Sequence, residues 1–174
     1  PRSVLRDLNE ELRRILAEVR EARYTSRDPE ARRACSPRCP AAGQREFIGL
    51  SLADLDGVDL DLAGCNLRDG RFLEASFGHA RFTSADLVGC GFQRALLWGA
   101  DLSMVRARGC LWQEADLSGS RLRGADLSFA QFNGANLRLV CLREADLRGC
   151  DLRHALIDSA RLEAARLELS LIHI

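Results

Sequence analysis

The chain has 174 residues, a formal net charge of zero and 47% hydrophobic residues. All 25 basic residues are arginine, which indicates a GC-rich genome rather than selection for arginine chemistry. No stretch is long and apolar enough to cross a membrane, and the balanced charge gives no indication of a nucleic-acid or membrane partner. We expect no signal peptide and a cytoplasmic setting.

Residues 1–23 are predicted to form an amphipathic α-helix. Their apolar residues recur at alternating intervals of three and four, which draws one stripe along the helix: Leu5, Leu8, Leu12, Ile15 and Val19. Two roles stay open for this helix. It caps the end of the repeats that follow, since a solenoid needs its terminal coil covered, or it pairs in a dimeric coiled coil.

Residues 24–45 are predicted to be a polar connector, because three prolines and a glycine interrupt them. Cys35 and Cys39 resemble half of a metal site, but no histidine or second cysteine pair lies nearby, so no metal is expected there. Residues 1–45 hold 11 arginines against 7 acids, and the remainder holds 14 against 18. This asymmetry is too small to identify a partner.

A five-residue repeat occupies the rest of the chain, 46–174. From Leu67 to Ile172 an apolar residue recurs at every fifth position, in 22 consecutive units, and it is bulky in all of them except at Ala107; a small residue lies two positions before almost every one. This period fits neither a helix nor a strand, so each unit must be a short extended piece plus a corner. The central and the small residue point inward, because side chains alternate along an extended chain.

The corner of each unit is predicted at the second residue after the central one. Glycine recurs there and suits the positive-φ place of a type II turn. The glycines are Gly89, Gly99, Gly109, Gly119, Gly124, Gly134 and Gly149.

Four such units are predicted to close one coil of twenty residues. Central residues taken at that interval align four aromatics in one column, which are Phe72, Phe92, Trp112 and Phe132. A coil must hold a nearly constant volume at each level, so the small residues Gly70, Cys90, Cys110 and Ala130 are expected beneath them.

Units such as Ala85-Asp86-Leu87 and Ala125-Asp126-Leu127 resemble the pentapeptide-repeat family, whose signature is Ala-(Asp/Asn)-Leu-X-X. The resemblance covers residues 48–172 and implies an all-β solenoid, a right-handed quadrilateral β-helix. Members of the family include topoisomerase-protecting DNA mimics. Leu60 and Leu67 are seven residues apart, so we predict that the register slips by two near residues 61–64, with a bulge or small loop.

Seven cysteines in a chain without secretory features indicate thiols rather than a disulfide framework. Cys65, Cys90, Cys110 and Cys150 occupy the small inward position and are interpreted as compact core fillers, whereas Cys141 points outward.

We predict no catalytic, cofactor or metal site, and therefore no enzyme. His79, His154 and His173 have no partner at catalytic spacing. The outward aspartates occupy the signature's own Asp/Asn position, where a side chain accepts local backbone hydrogen bonds. Neither a phosphate-binding loop nor a set of metal ligands is present.

One side of the predicted coil carries apolar outward residues among small ones, which are Leu96, Trp98, Leu139 and Leu156. A lightly charged surface with one exposed tryptophan is typical of a partner-binding patch, although single exposed apolar residues are also ordinary.

We therefore expect a non-enzymatic scaffold for protein–protein interaction, with an unidentified protein partner and a homodimer left open. The alternative is a DNA-mimicking protein that binds and protects DNA gyrase, which the resemblance alone suggests. Mimicry needs a dense acidic stripe, and here acids alternate with arginines. The chain begins at Pro1 without an initiating methionine, and we expect the natural protein to be longer.

Overall fold

The computed structural model describes residues 47–172, in which a unit of five residues repeats without interruption. Each unit consists of one bridging residue, an inward central residue, two turn residues and a second inward residue. The single-residue bridges are parallel and join positions twenty apart, from Ser51↔Arg71 to Asp151↔Leu171. Within this range there is neither a helix nor a longer strand, and the chain is a stack of four-sided coils, as the repeat predicts.

Each side of the stack is defined by one ladder of bridging residues. Side 1 follows Ser51, Arg71, Gly91, Leu111, Gln131, Asp151 and Leu171. Side 2 follows Asp56, Ser76, Leu96, Asp116, Asn136 and Leu156. Side 3 follows Asp61, Arg81, Asp101, Arg121, Cys141 and Arg161. Side 4 follows Asn66, Asp86, Arg106, Asp126, Asp146 and Arg166.

Backbone hydrogen bonds hold neighbouring coils together. The Arg106 amide donates to the Ala85 carbonyl at 3.0 Å, and the Leu87 amide donates to the Arg106 carbonyl at 2.7 Å. Every level repeats this pattern, so an outward residue always has its neighbours twenty positions before and after it.

The predicted corners are confirmed. In one of them the Cys90 amide donates to the Leu87 carbonyl at 2.9 Å, and Gly89 has φ +73°. Positive φ is also found at corner residues with side chains, for example at Met104 (φ 58°) and Leu139 (φ 58°). The stack therefore imposes the left-handed conformation even where a side chain disfavours it.

The interior is a column structure, and the predicted aromatic column is confirmed. Ring centroids are 4.7 Å apart for Phe72 and Phe92, 4.4 Å for Phe92 and Trp112, and 6.1 Å for Trp112 and Phe132. Phe77 packs edge-on against Phe72 at 5.6 Å. All five rings are fully buried.

The predicted slip in register near residues 61–64 is wrong. Asp61 bridges Arg81 and Asp56 bridges Ser76, so the twenty-residue spacing holds through this region. Leu60 lies at the second inward position of its unit, not at the central one, and Gly57 is the central residue of that unit. Position 57 must be small because the Phe77 ring reaches over it, and a Cβ atom there would lie 2.8 Å from the ring.

The two ends of the described stack differ. The inward side chains of the first coil, such as Phe47 and Leu52, are buried, whereas Ile157 and Leu167 of the last coil are only partly buried. The predicted helix over 1–23 and the connector over 24–45 lie outside the described residues. Within the described range, no helix could cross a membrane.

Substitution of Phe92 tests the stacked interior. Phe92→Ala should lower the free energy of unfolding by about 3–5 kcal/mol, because neither neighbouring ring can move in to fill the space. Leu96→Ala, an outward residue of similar size, should change it by less than about 1 kcal/mol. Urea denaturation of both variants measures the difference, and equal losses would contradict the inward assignment of Phe92.

Candidate protein-binding surface on side 2

The four residues predicted to bind a partner all lie on side 2. Leu96 and Leu156 belong to its ladder, and Trp98 and Leu139 belong to the two turn positions beside it. Their exposed fractions are 44% for Leu96, 38% for Trp98, 67% for Leu139 and 43% for Leu156. We number the coils along this side by their residues: coil 1 is 56–59, coil 2 is 76–79, coil 3 is 96–99, coil 4 is 116–119, coil 5 is 136–139 and coil 6 is 156–159.

Trp98 does not project freely but packs with His79 as an aromatic pair. The ring centroids are 4.5 Å apart and the planes are nearly perpendicular, at 81°. Trp98 lies over Gly78, where a Cβ atom would be 2.5 Å from the indole, and His79 lies over Gly99, where it would be 2.6 Å from the imidazole. Sequence reasoning missed this pair. The signal for it was a glycine twenty residues from each ring.

A simple rule governs the corner glycines. A side chain at the positive-φ turn position leans over the next coil, so it covers the glycine that follows it by twenty residues. His79 covers Gly99, Met104 covers Gly124 and Phe129 covers Gly149. Gly119 follows Gly99, which has no side chain, and a Cβ atom at Gly119 would have no atom within 4 Å. Coil 4 therefore presents an open hollow at Ser118 and Gly119, next to the Trp98–His79 pair.

Charge on side 2 is sparse and unevenly placed. Because the register is continuous, Asp56 and Asp59 also belong to this side, and its first coil is acidic. Asp116 is held in the ladder by the Asn136 amide at 3.0 Å and by the Ser118 backbone amide at 2.9 Å. Arg138 forms an ion pair with Asp158 at 3.0 Å, and both residues lie on side 2.

The other sides carry many more ion pairs between and within coils. On side 4, Asp86 lies 3.3 Å from Arg68 and 3.1 Å from Arg106. On side 3, Arg81 pairs with Asp61 at 2.9 Å, and on side 1, Arg94 pairs with Glu74 at 3.0 Å. These contacts neutralise several of the outward acids along the stack. Each exposed pair contributes little to stability by itself.

Two aspartates have lowered pKa values for the same reason. The Arg148 guanidinium hydrogen-bonds Asp146 and lowers the pKa of that carboxyl, and Arg153 does the same for Asp151. A lowered pKa stabilises the fold at neutral pH, and this contribution is lost as the pH falls through the lowered value. The outward aspartates also accept local backbone hydrogen bonds as predicted, for example Asp86 from the Val88 amide at 3.2 Å.

A shallow groove of 510 Å³ lies where side 4 meets side 1. Its lining includes three glycines, Gly70, Gly89 and Gly91, together with Leu73, and its charged groups are Asp69 and Arg71. The groove contains no nucleophile with a base beside it, which acid–base or covalent catalysis requires. Among residues 47–172, no group of three or more metal-ligating side chains is assembled.

The inward cysteines are core residues, as predicted. Cys90 and Cys110 are buried, and their thiols donate to the carbonyls of Leu67 and Leu87 at 3.0 and 2.8 Å. Burial raises the pKa of Cys150 to about 12, and burial together with the neighbouring Cys90 raises the pKa of Cys110. Cys141 faces outward and is partly exposed.

Comparison with known proteins decides the family. The model of pentapeptide repeats matches residues 61–99, 100–138 and 141–171 with eight copies of the repeat. The chain belongs to the pentapeptide-repeat family. Among curated protein sequences, none matches it significantly.

Similar solved structures are also pentapeptide-repeat proteins. One from the thylakoid lumen of Arabidopsis thaliana is 29% identical, with a TM-score of 0.43. The match covers 57% of this chain and 65% of the Arabidopsis protein. QnrB1, a plasmid-mediated fluoroquinolone resistance protein, is 16% identical, with a TM-score of 0.40 over 71% of this chain and 82% of QnrB1. HetL from Nostoc, involved in heterocyst differentiation regulation, is 20% identical, with a TM-score of 0.16 over 74% and 90%.

Thiol labelling tests the inward and outward assignments. Under native conditions Cys141 should react with a maleimide at least tenfold faster than Cys90, Cys110 and Cys150, because burial makes the latter three thiols inaccessible to the reagent. Mass spectrometry of peptides from timed samples gives each rate, and the unfolded chain is the control in which all four should react alike. Similar rates in the native protein would contradict the core assignment.

Proposed function

We propose that this pentapeptide-repeat protein is a non-enzymatic scaffold that binds another protein through side 2. The observation that carries the proposal is the Trp98–His79 pair beside the open hollow at Ser118 and Gly119, on a side where charged groups are few. A rigid aromatic knob next to a small-residue hollow is the kind of relief on which a complementary protein surface can pack.

Trp98 is the anchor in this proposal. The glycine beneath it fixes the ring against the coil, so little side-chain freedom remains to be lost on binding. Leu96, two residues before it, is also exposed, and Leu139 extends the apolar surface past the hollow. Interfaces draw most of their affinity from a few such buried aromatic residues.

The alternative, a DNA mimic that protects gyrase, finds less support in the charge pattern. B-DNA carries one negative charge per about 1.7 Å of its axis. On side 4 the ladder alternates acids with Arg106 and Arg166, and Asp86 is paired with arginines on both flanks. A surface neutralised in this way does not present the field of a phosphate backbone.

Three further expectations belong to this proposal. The coil winds to the right, as the family resemblance implies. Residues 1–23 cap the first coil, which is supported by the apolar stripe of the segment. The protein works in the cytoplasm, which the buried thiols of Cys90, Cys110 and Cys150 favour.

Capture experiments test the scaffold. The chain, immobilised at low density, should retain specific proteins from a lysate of its source organism, and Leu96→Ser with Trp98→Ser should reduce that retention about thirtyfold, since an aromatic anchor contributes about 2 kcal/mol. The matched control is Leu73→Ser with Met104→Ser, which removes two exposed apolar residues from other sides. Equal loss in both double variants would contradict a binding role specific to side 2.

A gyrase assay tests the alternative. Because ion pairs between acids and arginines occur on every side, the purified chain should neither inhibit DNA supercoiling by gyrase nor relieve quinolone poisoning at micromolar concentration. Inhibition that survives Leu96→Ser with Trp98→Ser would refute the scaffold proposal and favour mimicry.

A further inference from the structure

We infer that the partner on side 2 is a second copy of this chain, packed with its stack antiparallel to the first. This inference rests on the proposed function and names the partner for the same surface. It is drawn from where the knobs, the hollow and the charges lie along the six coils of side 2.

The Trp98 and His79 rings and the hollow are displaced from one another along the stack. Trp98 leans back from coil 3 over Gly78, and His79 leans forward from coil 2 over Gly99, so both rings stand between coils 2 and 3. The hollow at Ser118 and Gly119 lies on coil 4. A two-fold axis lying across the stack just above coil 3 places the rings of each copy opposite the hollow of the other.

The columns stay aligned under this operation. A two-fold axis in the plane of the interface and perpendicular to the stack reverses the order of the coils. Each column of turn residues then faces the same column of the second copy. Trp98 therefore faces the column of Ser118, and His79 faces the column of Gly119. Both contacts bring a ring against a residue with little or no side chain.

Charge complementarity favours the same arrangement. The axis brings coil 1, with Asp56 and Asp59, opposite coil 5, with Arg138, at both ends of the overlap. A parallel arrangement would instead place each of these charges opposite its own copy, and would set ring on ring and hollow on hollow. Because Arg138 is exposed and already pairs with Asp158, the new contact sets the register more than the affinity.

The overlap is small. Five coils at a spacing of about 4.8 Å extend over about 24 Å. A face of that length lies at the lower end of specific interfaces, so the dimer should be weak and concentration-dependent. Leu156, on coil 6, lies beyond the overlap and contributes little.

Gly119→Glu tests the hollow. A Cβ atom at this corner would have no atom of its own chain within 4 Å, so the variant should fold, while its side chain narrows the space that the second copy's rings need. Gly109→Glu is the matched control, because Gly109 has φ +67° against +65° for Gly119, has equally open space, and lies on side 4. Sedimentation velocity from micromolar to millimolar concentration should show a dimer whose dissociation constant rises at least tenfold in Gly119→Glu and is unchanged in Gly109→Glu.

Cysteine cross-linking tests the orientation without relying on that variant. With Cys35, Cys39 and Cys141 replaced by serine, Leu96→Cys should cross-link to itself through a short bifunctional maleimide, since position 96 lies near the axis. Leu156→Cys, in the same ladder and equally exposed, should not. Equal cross-linking of both would mean a parallel dimer and overturn the inference.

A chain that stays monomeric up to millimolar concentration, or a dimer that Gly119→Glu leaves intact, also overturns it. The scaffold proposal fails separately when its capture test uses a lysate freed of this chain, since no second copy can then be retained. Loss of capture by side 2 variants in a strictly monomeric protein would keep the scaffold and remove the homodimer.

Discussion

In-register stacking of twenty-residue coils underlies every other property of this protein. Bridging residues such as Arg106 donate to the carbonyl of the residue 21 positions before them and accept from the amide of the residue 19 positions before them, so the backbone polar groups of one coil are satisfied by its neighbours. Stability therefore accumulates from one coil to the next rather than from a globular core. The same constraint makes the side chains of each column neighbours, inside and outside the stack.

Inside the stack, the volume of each inward side chain is limited by the side chains one level above and one level below it. Phe92 lies between two rings at van der Waals distance, and the Phe77 ring spreads over a level where the central residue is glycine. Large and small residues compensate within two levels, because an interior packed at crystal density tolerates neither a void nor an overlap. The cysteines fit this scheme as small fillers whose thiols also satisfy carbonyls of the coil below.

Outside, stacking turns single residues into ladders. On sides 3 and 4 the ladders mix arginine with acid, and side 1 has ion pairs at its turn positions, such as Arg94 with Glu74, so the pairs on these three sides leave little net field. Side 2 departs from this pattern, with an aromatic pair, a hollow and only a few charges. The departure arises from glycines at related positions: Gly78 and Gly99 receive the two rings, and Gly99 leaves Gly119 uncovered. Removing a side chain at one level thus shapes the surface at the next.

Much of this architecture was readable from the chain itself. The period of five, the aromatic column at intervals of twenty and the recurrent corner glycines together required a four-sided coil, because no other regular structure places those residues on common faces. The same periodicity placed Leu96, Trp98, Leu139 and Leu156 on one side. The periodicity did not assign Leu60 to the correct position of its unit, because leucine fits either of the two inward positions. The bridge between Asp61 and Arg81 distinguishes the two positions. The lean of each side chain was likewise decided by the tertiary structure, because the space a ring occupies depends on the residue one coil away. The Trp98–His79 pair and the hollow beside it therefore became visible only when the coils were stacked.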